Sequence, residues 1–209
     1  IFSIKRGAGL WLWKPHIISR SLEKISEGDY LVYCDSGAFF NSSIKGIIEN
    51  WALDAKDAGI MTFGWGGTES HWTKRDSFII MECDTEEIRN SSPQVWGGLM
   101  IIKKCENSIN FVNDWVNYCS IFNNISDSPS ELGEDDPEFK EHRHDQSILS
   151  LLSKRNGIFP SNLSRILWKD AQKGKLNEKH IIVSTRRNND ISNLKMDNYA
   201  FFYPPEKED

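Results

Sequence analysis

The sequence has no apolar run that approaches the ~20 residues a helix needs to cross a lipid bilayer. It also lacks a recognisable secretion signal, in which a basic stretch precedes a short apolar one. These two absences predict a cytoplasmic protein without a transmembrane segment.

A surplus of basic residues is missing as well, since 25 Lys and Arg face 30 Asp and Glu. The resulting net charge of −5 argues against nucleic acid as a partner, because proteins that bind it usually carry a basic surface. The four cysteines form no Cys-x-x-Cys pair, which makes a zinc or dithiol redox motif improbable. Neither a P-loop nor the glycine-rich dinucleotide fingerprint occurs.

What the chain does have is an alternation of short apolar runs with amphipathic stretches, over a length that favours one domain. This alternation predicts an α/β fold with a mainly parallel sheet flanked by helices. The predicted strands are 30–34, 60–65, 77–81, 99–102 and 180–184, and the predicted helices are 14–27, 44–58, 107–122 and 144–154.

The segment Asp35-Ser36-Gly37 follows the apolar run Tyr30–Cys34, which reads as a strand buried on both faces. Open α/β sheets bind ligands at the carboxyl ends of their strands, so Asp35 is a candidate site residue. Its carboxylate suits a divalent cation or a sugar hydroxyl. The alternative is an Asp that only caps the turn after the strand.

A second cluster lies in residues 6–15, where two glycines are followed by two tryptophans between Arg6 and Lys14. Gly7 would let the backbone approach a ligand closely, and the two basic residues would attract a phosphate. Pro15 suits the start of a helix, whose terminus favours anions. The alternative is a simple turn with Trp13 and its neighbours in the core.

A third cluster is polar and opens an otherwise apolar helix at residues 141–147. His144, Asp145 and Gln146 are candidates for binding a polar substrate, although an Asp in a first helical turn is also a common cap. The His-x-His pair is not read as a zinc site, because the two rings diverge at a helix start. The acidic stretch 127–141 before it is either a mobile lid or a surface loop.

Weaker candidates combine aromatic, charged and amide side chains that suit sugar rings and hydroxyls. Packing in the core or at the surface is the alternative for each residue taken alone. These candidates are Trp72, Lys74, Asp76, Gln94 and Gly98, the last of them in a predicted turn at residues 96–98.

Taken in order, these motifs resemble sugar-nucleotide glycosyltransferases with the GT-A fold, of the type found in glycan gene clusters of microbes and some viruses. The motifs are Arg6-Gly-x-Gly-x-Trp-x-Trp-Lys14-Pro15, then Gly28-Asp29-x-Leu-x-Tyr-x-Asp35-x-Gly37, then Trp72-x-Lys74-x-Asp76, then Gly97-Gly98-Leu-Met-Ile-Ile-Lys, and finally His142-Arg143-His144-Asp145-Gln146-Ser147. The resemblance implies a single GT-A-like domain over 1–209. A GT-A fold normally opens with a strand and a helix that bind the nucleotide base. Either that unit is absent from this sequence, or Ile1–Lys5 is a remnant of it.

The resemblance also implies roles for the candidate residues. Donor binding falls to Arg6, Gly7, Trp13, Lys14, Asp35, Ser36 and Gly37; acceptor binding to Trp72, Lys74, Asp76, Gln94 and Gly98; and catalysis to Asp145, Gln146 and His144. In related enzymes an Asp-x-Asp motif binds Mn²⁺ or Mg²⁺, and Asp35 is the expected metal ligand here, although Gly37 stands at the second acidic position.

The function implied is that of a hexosyltransferase-like enzyme of class EC 2.4. It would move a sugar from a nucleoside diphosphate donor, with UDP favoured, to a hydroxyl of a glycan or glycoconjugate, beside a membrane where glycan is assembled. Two other classes remain open: a non-catalytic carbohydrate-binding module, which the eight tryptophans favour, and a hydrolase of nucleotide sugars or phosphate esters, which Asp35 and the histidines favour.

Overall fold

The computed structural model describes residues 1–40, 51, 59–161, 169–170 and 182–184. The described helices are α1 (Trp13–Glu23), α2 (Glu69–Trp72), α3 (Arg75–Ile80), α4 (Glu86–Asn90), α5 (Glu106–Cys119), α6 (Phe122–Ile125) and α7 (Asp145–Arg155). The described strands are β1 (Tyr30–Cys34), β2 (Ala38–Phe40), β3 (Ile60–Trp65), β4 (Gln94–Lys103), β5 (Lys169–Asp170) and β6 (Ile182–Ser184). Apart from Trp51, the predicted helix at 44–58 lies outside the described residues.

The described strands form two small sheets, one in the order β1-β4-β3 and one in the order β2-β6-β5. In the first, β4 pairs antiparallel with both neighbours, and Cys34 lies opposite Leu99. In the second, β2 pairs antiparallel with β6, and β5 pairs parallel with it. The α/β class is confirmed, but the predicted mainly parallel sheet is wrong.

The connection between β3 and β4 explains this error. Three short helices, α2 to α4, lie between the two strands. A single long crossover helix would favour a parallel pair, but several short helices can return the chain in either direction. The alternation of strands with helices in the sequence therefore could not give the direction of the strands.

Burial differs between the strands. All but the last residue of β4 are buried, because it is the central strand of its sheet. Met100 and Ile102 contribute to one core, with α1, α5 and α7, while Leu99 and Ile101 contribute to the other. In β1, by contrast, Tyr30 is exposed and the rest are half-buried, so the prediction that this strand is buried on both faces is wrong.

Two further predictions of local structure are wrong. Residues 77–81 lie largely in helix α3, not in a strand, because a short apolar run fits a buried helical turn equally well. Gly97 and Gly98 lie within β4 instead of a turn. Their small size is used for packing: a Cβ on Gly98 would come within 2.5 Å of the Trp96 ring.

The backbone before α1 makes a turn of the opposite hand to an ordinary helix. Residues Gly7–Leu10 form this turn, and all φ angles from Gly7 to Trp11 are positive. This conformation costs an L-residue roughly 1–2 kcal/mol, and here Ala8, Leu10 and Trp11 adopt it. Buried Leu10 fixes the turn in the core, and the Trp13 indole donates to the Gly7 carbonyl at 3.0 Å.

Gly7→Ala should destabilise the protein more than an ordinary glycine substitution. A Cβ on Gly7 would lie 2.3 Å from the Trp11 ring, so this ring must move. Gly28→Ala is the matched control, because Gly28 also has a positive φ but no atom lies within 4 Å of its added Cβ. In urea unfolding we expect a loss of about 1 kcal/mol for Gly28→Ala and about 2–4 kcal/mol for Gly7→Ala. Equal losses would contradict the packing of Trp11 on Gly7.

Candidate functional site

The structure brings three of the predicted site residues together around one ammonium group. The Nζ of Lys14 lies 2.9 Å from Oδ2 of Asp145 and 3.6 Å from Oδ1 of Asp35, and it donates to the Gly97 carbonyl at 3.0 Å. The side chains of Lys14 and Asp145 are 5% and 4% exposed, whereas that of Asp35 is 37% exposed. Asp35 therefore connects a buried ion pair with the solvent.

The sheet register and two helix starts create this meeting point. The Asp35 amide donates to the Gly98 carbonyl, which extends the β1–β4 ladder by one step. Lys14 enters from the first turn of α1, and Asp145 is the first residue of α7. Asp145 lies more than a hundred positions along the chain from Lys14 and Asp35, and the central strand β4 brings the three together.

A pocket with aromatic walls opens beside Asp35. Its volume is about 210 Å³. The residues that line it are Trp11, Trp13, Tyr33, Asp35, Ser36, Gly37, Ala38 and Trp96. Four of the predicted donor-binding residues, Trp13, Asp35, Ser36 and Gly37, thus share one pocket. Aromatic faces beside a carboxylate and a hydroxyl suit a ligand with apolar ring faces and several hydroxyl groups.

Tyr33 is a site residue that the sequence reasoning missed. Its hydroxyl donates to Oδ1 of Asp35 at 2.8 Å, and its ring lies 5.6 Å from the Lys14 ammonium. Burial, followed by the negative charge of Asp35, raises the pKa of Tyr33, so it stays protonated as a donor. The two-residue spacing of Tyr33 and Asp35 was the available signal, because alternate residues of a strand point to the same side.

Gln146 is held by a buried polar network. Its Oε1 accepts from the Gly97 amide at 3.0 Å, and its Nε2 donates to Oε1 of Gln94 at 2.8 Å. Nε2 of Gln94 in turn donates to Oε2 of Glu69 at 3.1 Å. Two predicted site residues, Gln146 and Gln94, therefore contact each other, and both of their amide groups are oriented by protein atoms.

The two histidines before α7 are also fixed by the fold. His142 donates through Nε2 to the Asn124 carbonyl and accepts through Nδ1 from the Lys74 amide, and burial lowers its pKa to about 3. His144 bonds the Ile125 carbonyl through Nδ1, and burial lowers its pKa as well. Its backbone is strained, with φ 52° and ψ −122°, and its ring lies 5.3 Å from that of Trp11. The left-handed turn and the strained His144 therefore meet at the Trp11 ring, which lines the pocket.

The remaining predicted residues lie outside the pocket. Arg6 pairs with Asp127 and Glu141 of the acidic stretch, so its charge is balanced within the chain. Lys74 and Asp76 lie 3.3 Å apart and are buried. Lys74 donates to the Ser128 carbonyl, and Asp76 accepts from the Glu131 and Leu132 amides. Both therefore anchor the acidic stretch.

Trp72 lies against the end of this stretch and the residues that follow it, since the Lys140 ammonium and the Arg143 guanidinium lie 5.1 and 4.4 Å from its ring centroid. The Gly98 carbonyl accepts the Asp35 amide, as described above. The acceptor roles of these residues stay predictions.

Burial governs the charge state of the ion pair. It raises the pKa of Asp145 to about 6 in spite of the nearby ammonium. Burial also opposes the charge of Lys14, but the carboxylates of Asp145 and Asp35 outweigh it and raise the pKa of Lys14. Near neutral pH both groups are therefore ionised, and the site carries two carboxylates around one ammonium.

The side chains at the site can be set against the ligands that Mn²⁺ or Mg²⁺ requires. These ions prefer several oxygen ligands, at least one of them a carboxylate. Within the part of the chain that the structure describes, no three His, Cys, Asp or Glu side chains lie close enough together to hold a metal ion. Both carboxylates at the site already face Lys14. This donor set does not fit a metal held by two or more protein carboxylates.

Comparisons with known proteins give weak likeness in structure and none in sequence. No protein-family model matches the sequence, and no curated protein gives a significant match. Among the solved structures that are similar is the apo form of mouse xyloside xylosyltransferase 1, with a TM-score of 0.44 and 11% sequence identity. The similarity covers 85% of this chain and 64% of that chain, so this sequence spans less than two thirds of the mouse structure's length. A likeness of this size assigns neither a family nor an activity.

Proposed function

We propose that the protein is a glycosyltransferase that moves a sugar from a nucleoside diphosphate donor to a hydroxyl of a glycan acceptor. The observation that carries the proposal is the aromatic pocket lined by Trp11, Trp13, Tyr33 and Trp96, with Asp35 at its border and the buried Lys14–Asp145 pair behind it. A surface that only bound sugar would need aromatic faces and groups that bond hydroxyls, but no buried ion pair behind them. The buried charges add a preorganised electrostatic environment, which is typical of enzymes.

The donor sugar would occupy this pocket, with its ring against the indole faces and its hydroxyls toward Asp35 and Ser36. UDP is the favoured nucleotide, and the acceptor would be a growing glycan or glycoconjugate assembled beside a membrane on the cytoplasmic side. These finer assignments rest on the sequence resemblance. No helix in the described residues is both long and apolar enough to span a bilayer.

The test measures nucleotide release from a panel of UDP- and GDP-sugars, with and without glycan acceptors. A transferase releases nucleotide faster when an acceptor is present and forms a new glycoside. A hydrolase releases it regardless of the acceptor, and a binding module releases none. Either of these two results would contradict the proposal.

Asp35→Ala should lower turnover about ten- to a hundredfold, because the loss of one charged hydrogen bond costs about 1.5–3 kcal/mol. Asp114→Ala is the matched control, since Asp114 is an exposed carboxylate on α5 and not part of the pocket. The turnover of Asp114→Ala should stay within about twofold of the wild type, because substitutions at the surface usually have small effects. Full activity of Asp35→Ala would contradict the assignment of this pocket as the donor site.

A further inference from the structure

We propose that Asp35 binds hydroxyl groups of a sugar in the aromatic pocket, and that the ammonium of Lys14, not a divalent metal, balances the charge of Asp35. This proposal rests on the proposed function for the identity of the ligand. It concerns the part of that function for which the resemblance implies Mn²⁺ or Mg²⁺.

The groups around Asp35 hold its carboxylate in place at the pocket. Its Oδ1 already accepts the Tyr33 hydroxyl at 2.8 Å and faces the Lys14 ammonium at 3.6 Å. These two groups fix the rotamer of the carboxylate at the border of the pocket, where the side chain is 37% exposed. A carboxylate so fixed presents its remaining acceptor positions to a ligand without further ordering.

The position of Lys14 is the second step. Its ammonium lies within 3.6 Å of both Asp35 and Asp145 and donates to the Gly97 carbonyl. A divalent ion at Asp35 would share that carboxylate with this ammonium, and the two cations would repel each other. The ammonium is covalently part of α1 and buried, so an ion from solution would have to displace a packed side chain.

The neighbours of Asp35 are the third step. Ser36 contributes a second hydroxyl-binding side chain, whereas Gly37, at the second position of the expected acidic motif, has no side-chain oxygen. Trp11, Trp13 and Trp96 supply flat apolar faces around them. Carboxylate, hydroxyl and indole groups together match a sugar ring, which has apolar faces and a polar rim.

The experiment measures metal binding directly, without any need for turnover. The electron paramagnetic resonance signal of free Mn²⁺ is recorded with wild-type protein, with and without UDP, and with Asp35→Asn. We expect that wild-type protein does not remove one equivalent of Mn²⁺ more from solution than Asp35→Asn does. An ion that binds the wild type and is lost in Asp35→Asn would overturn the proposal. An ion that binds both proteins equally lies elsewhere and supports it.

A second measurement follows tryptophan fluorescence while UDP-hexoses and free hexoses are titrated, in EDTA or in Mn²⁺. Three indoles line the pocket, so a bound sugar should alter the emission. We expect at least one hexose or UDP-hexose to bind with equal affinity in both conditions, and about tenfold more weakly to Asp35→Ala. Binding that requires Mn²⁺, or the absence of any binding that depends on Asp35, would overturn the proposal.

The two measurements separate this proposal from the proposed function. If sugar binds without metal but no glycoside forms with any acceptor, the transferase function fails and the role of Asp35 stands. If transfer occurs only with Mn²⁺ and the ion is lost in Asp35→Asn, the function stands and the role of Asp35 fails.

Discussion

Lys14→Met should lower the free energy of unfolding by about 3–5 kcal/mol, the usual cost of breaking a buried ion pair by removing one partner. The substitution keeps much of the side-chain volume but leaves the carboxylate of Asp145, 4% exposed, without its counter-charge. Native domains are stable by only about 5–15 kcal/mol, so this loss should be obvious in urea unfolding.

The loss should depend on pH in a defined direction. Asp145 in the folded protein has a pKa of about 6, above its ordinary value of 3.8, and without the attraction of Lys14 this pKa rises further. A carboxyl whose folded pKa is raised stabilises the fold while it is protonated, and this contribution disappears as the pH rises through the folded pKa. The deficit of Lys14→Met should therefore be larger at about pH 8 than at about pH 5. An equal loss of stability at both pH values would contradict the view that Lys14→Met leaves Asp145 without its counter-charge.

A double variant separates stability from function. In Lys14→Met/Asp145→Asn neither side chain carries a charge, so most of the lost unfolding free energy should return. The contact between Lys14 and Asp35 is still missing, and sugar transfer should stay low. Recovery of both stability and transfer would show that the ion pair serves only the fold.

The sequence could predict which residues carry polar chemistry but not how each is used. Asp35 stands out because it ends an apolar run, and Lys14 and Asp145 stand out because they lie at the starts of helices. All three do meet in the fold. Lys74 and Asp76 stand out because they place opposite charges next to Trp72, yet they anchor the acidic stretch 127–141. A charged residue that binds a loop and one that binds a ligand look alike in a sequence, since in both cases the partner is absent from the neighbouring residues.

The direction of the strands could not be predicted from the sequence either. The apolar runs marked β1, β3 and the second half of β4 correctly, because burial in a sheet requires such runs whatever their direction. Direction depends on how the connecting helices pack, and the three short helices between β3 and β4 allow an antiparallel pair. The left-handed turn Gly7–Leu10 could not be predicted either, since three of the five successive positive φ angles from Gly7 to Trp11 belong to non-glycine residues.

Lys154→Met should cost the fold about as much as Lys14→Met, about 3–5 kcal/mol, for the same physical reason. The Nζ of Lys154 lies 2.9 Å from Oε1 of Glu69, and both side chains are fully buried. Glu69 also accepts bonds from Thr73 and Gln94, so its carboxylate would stay in place without a counter-charge. Urea unfolding measures the loss.

This second pair is the matched control for the first, because it lies away from the aromatic pocket. In Lys154→Met/Glu69→Gln the amide retains hydrogen-bonding groups for Thr73, Gln94 and Ser150, and most of the stability should return. Ligand binding and transfer, measured per folded molecule, should then match the wild type within about twofold.

Two buried lysines of similar energetic importance would thus differ in one respect, since only the one beside Asp35 would affect the pocket. A large loss of sugar binding in Lys154→Met/Glu69→Gln would mean that the network through Gln94 and Gln146 shapes the site as strongly as Lys14 does.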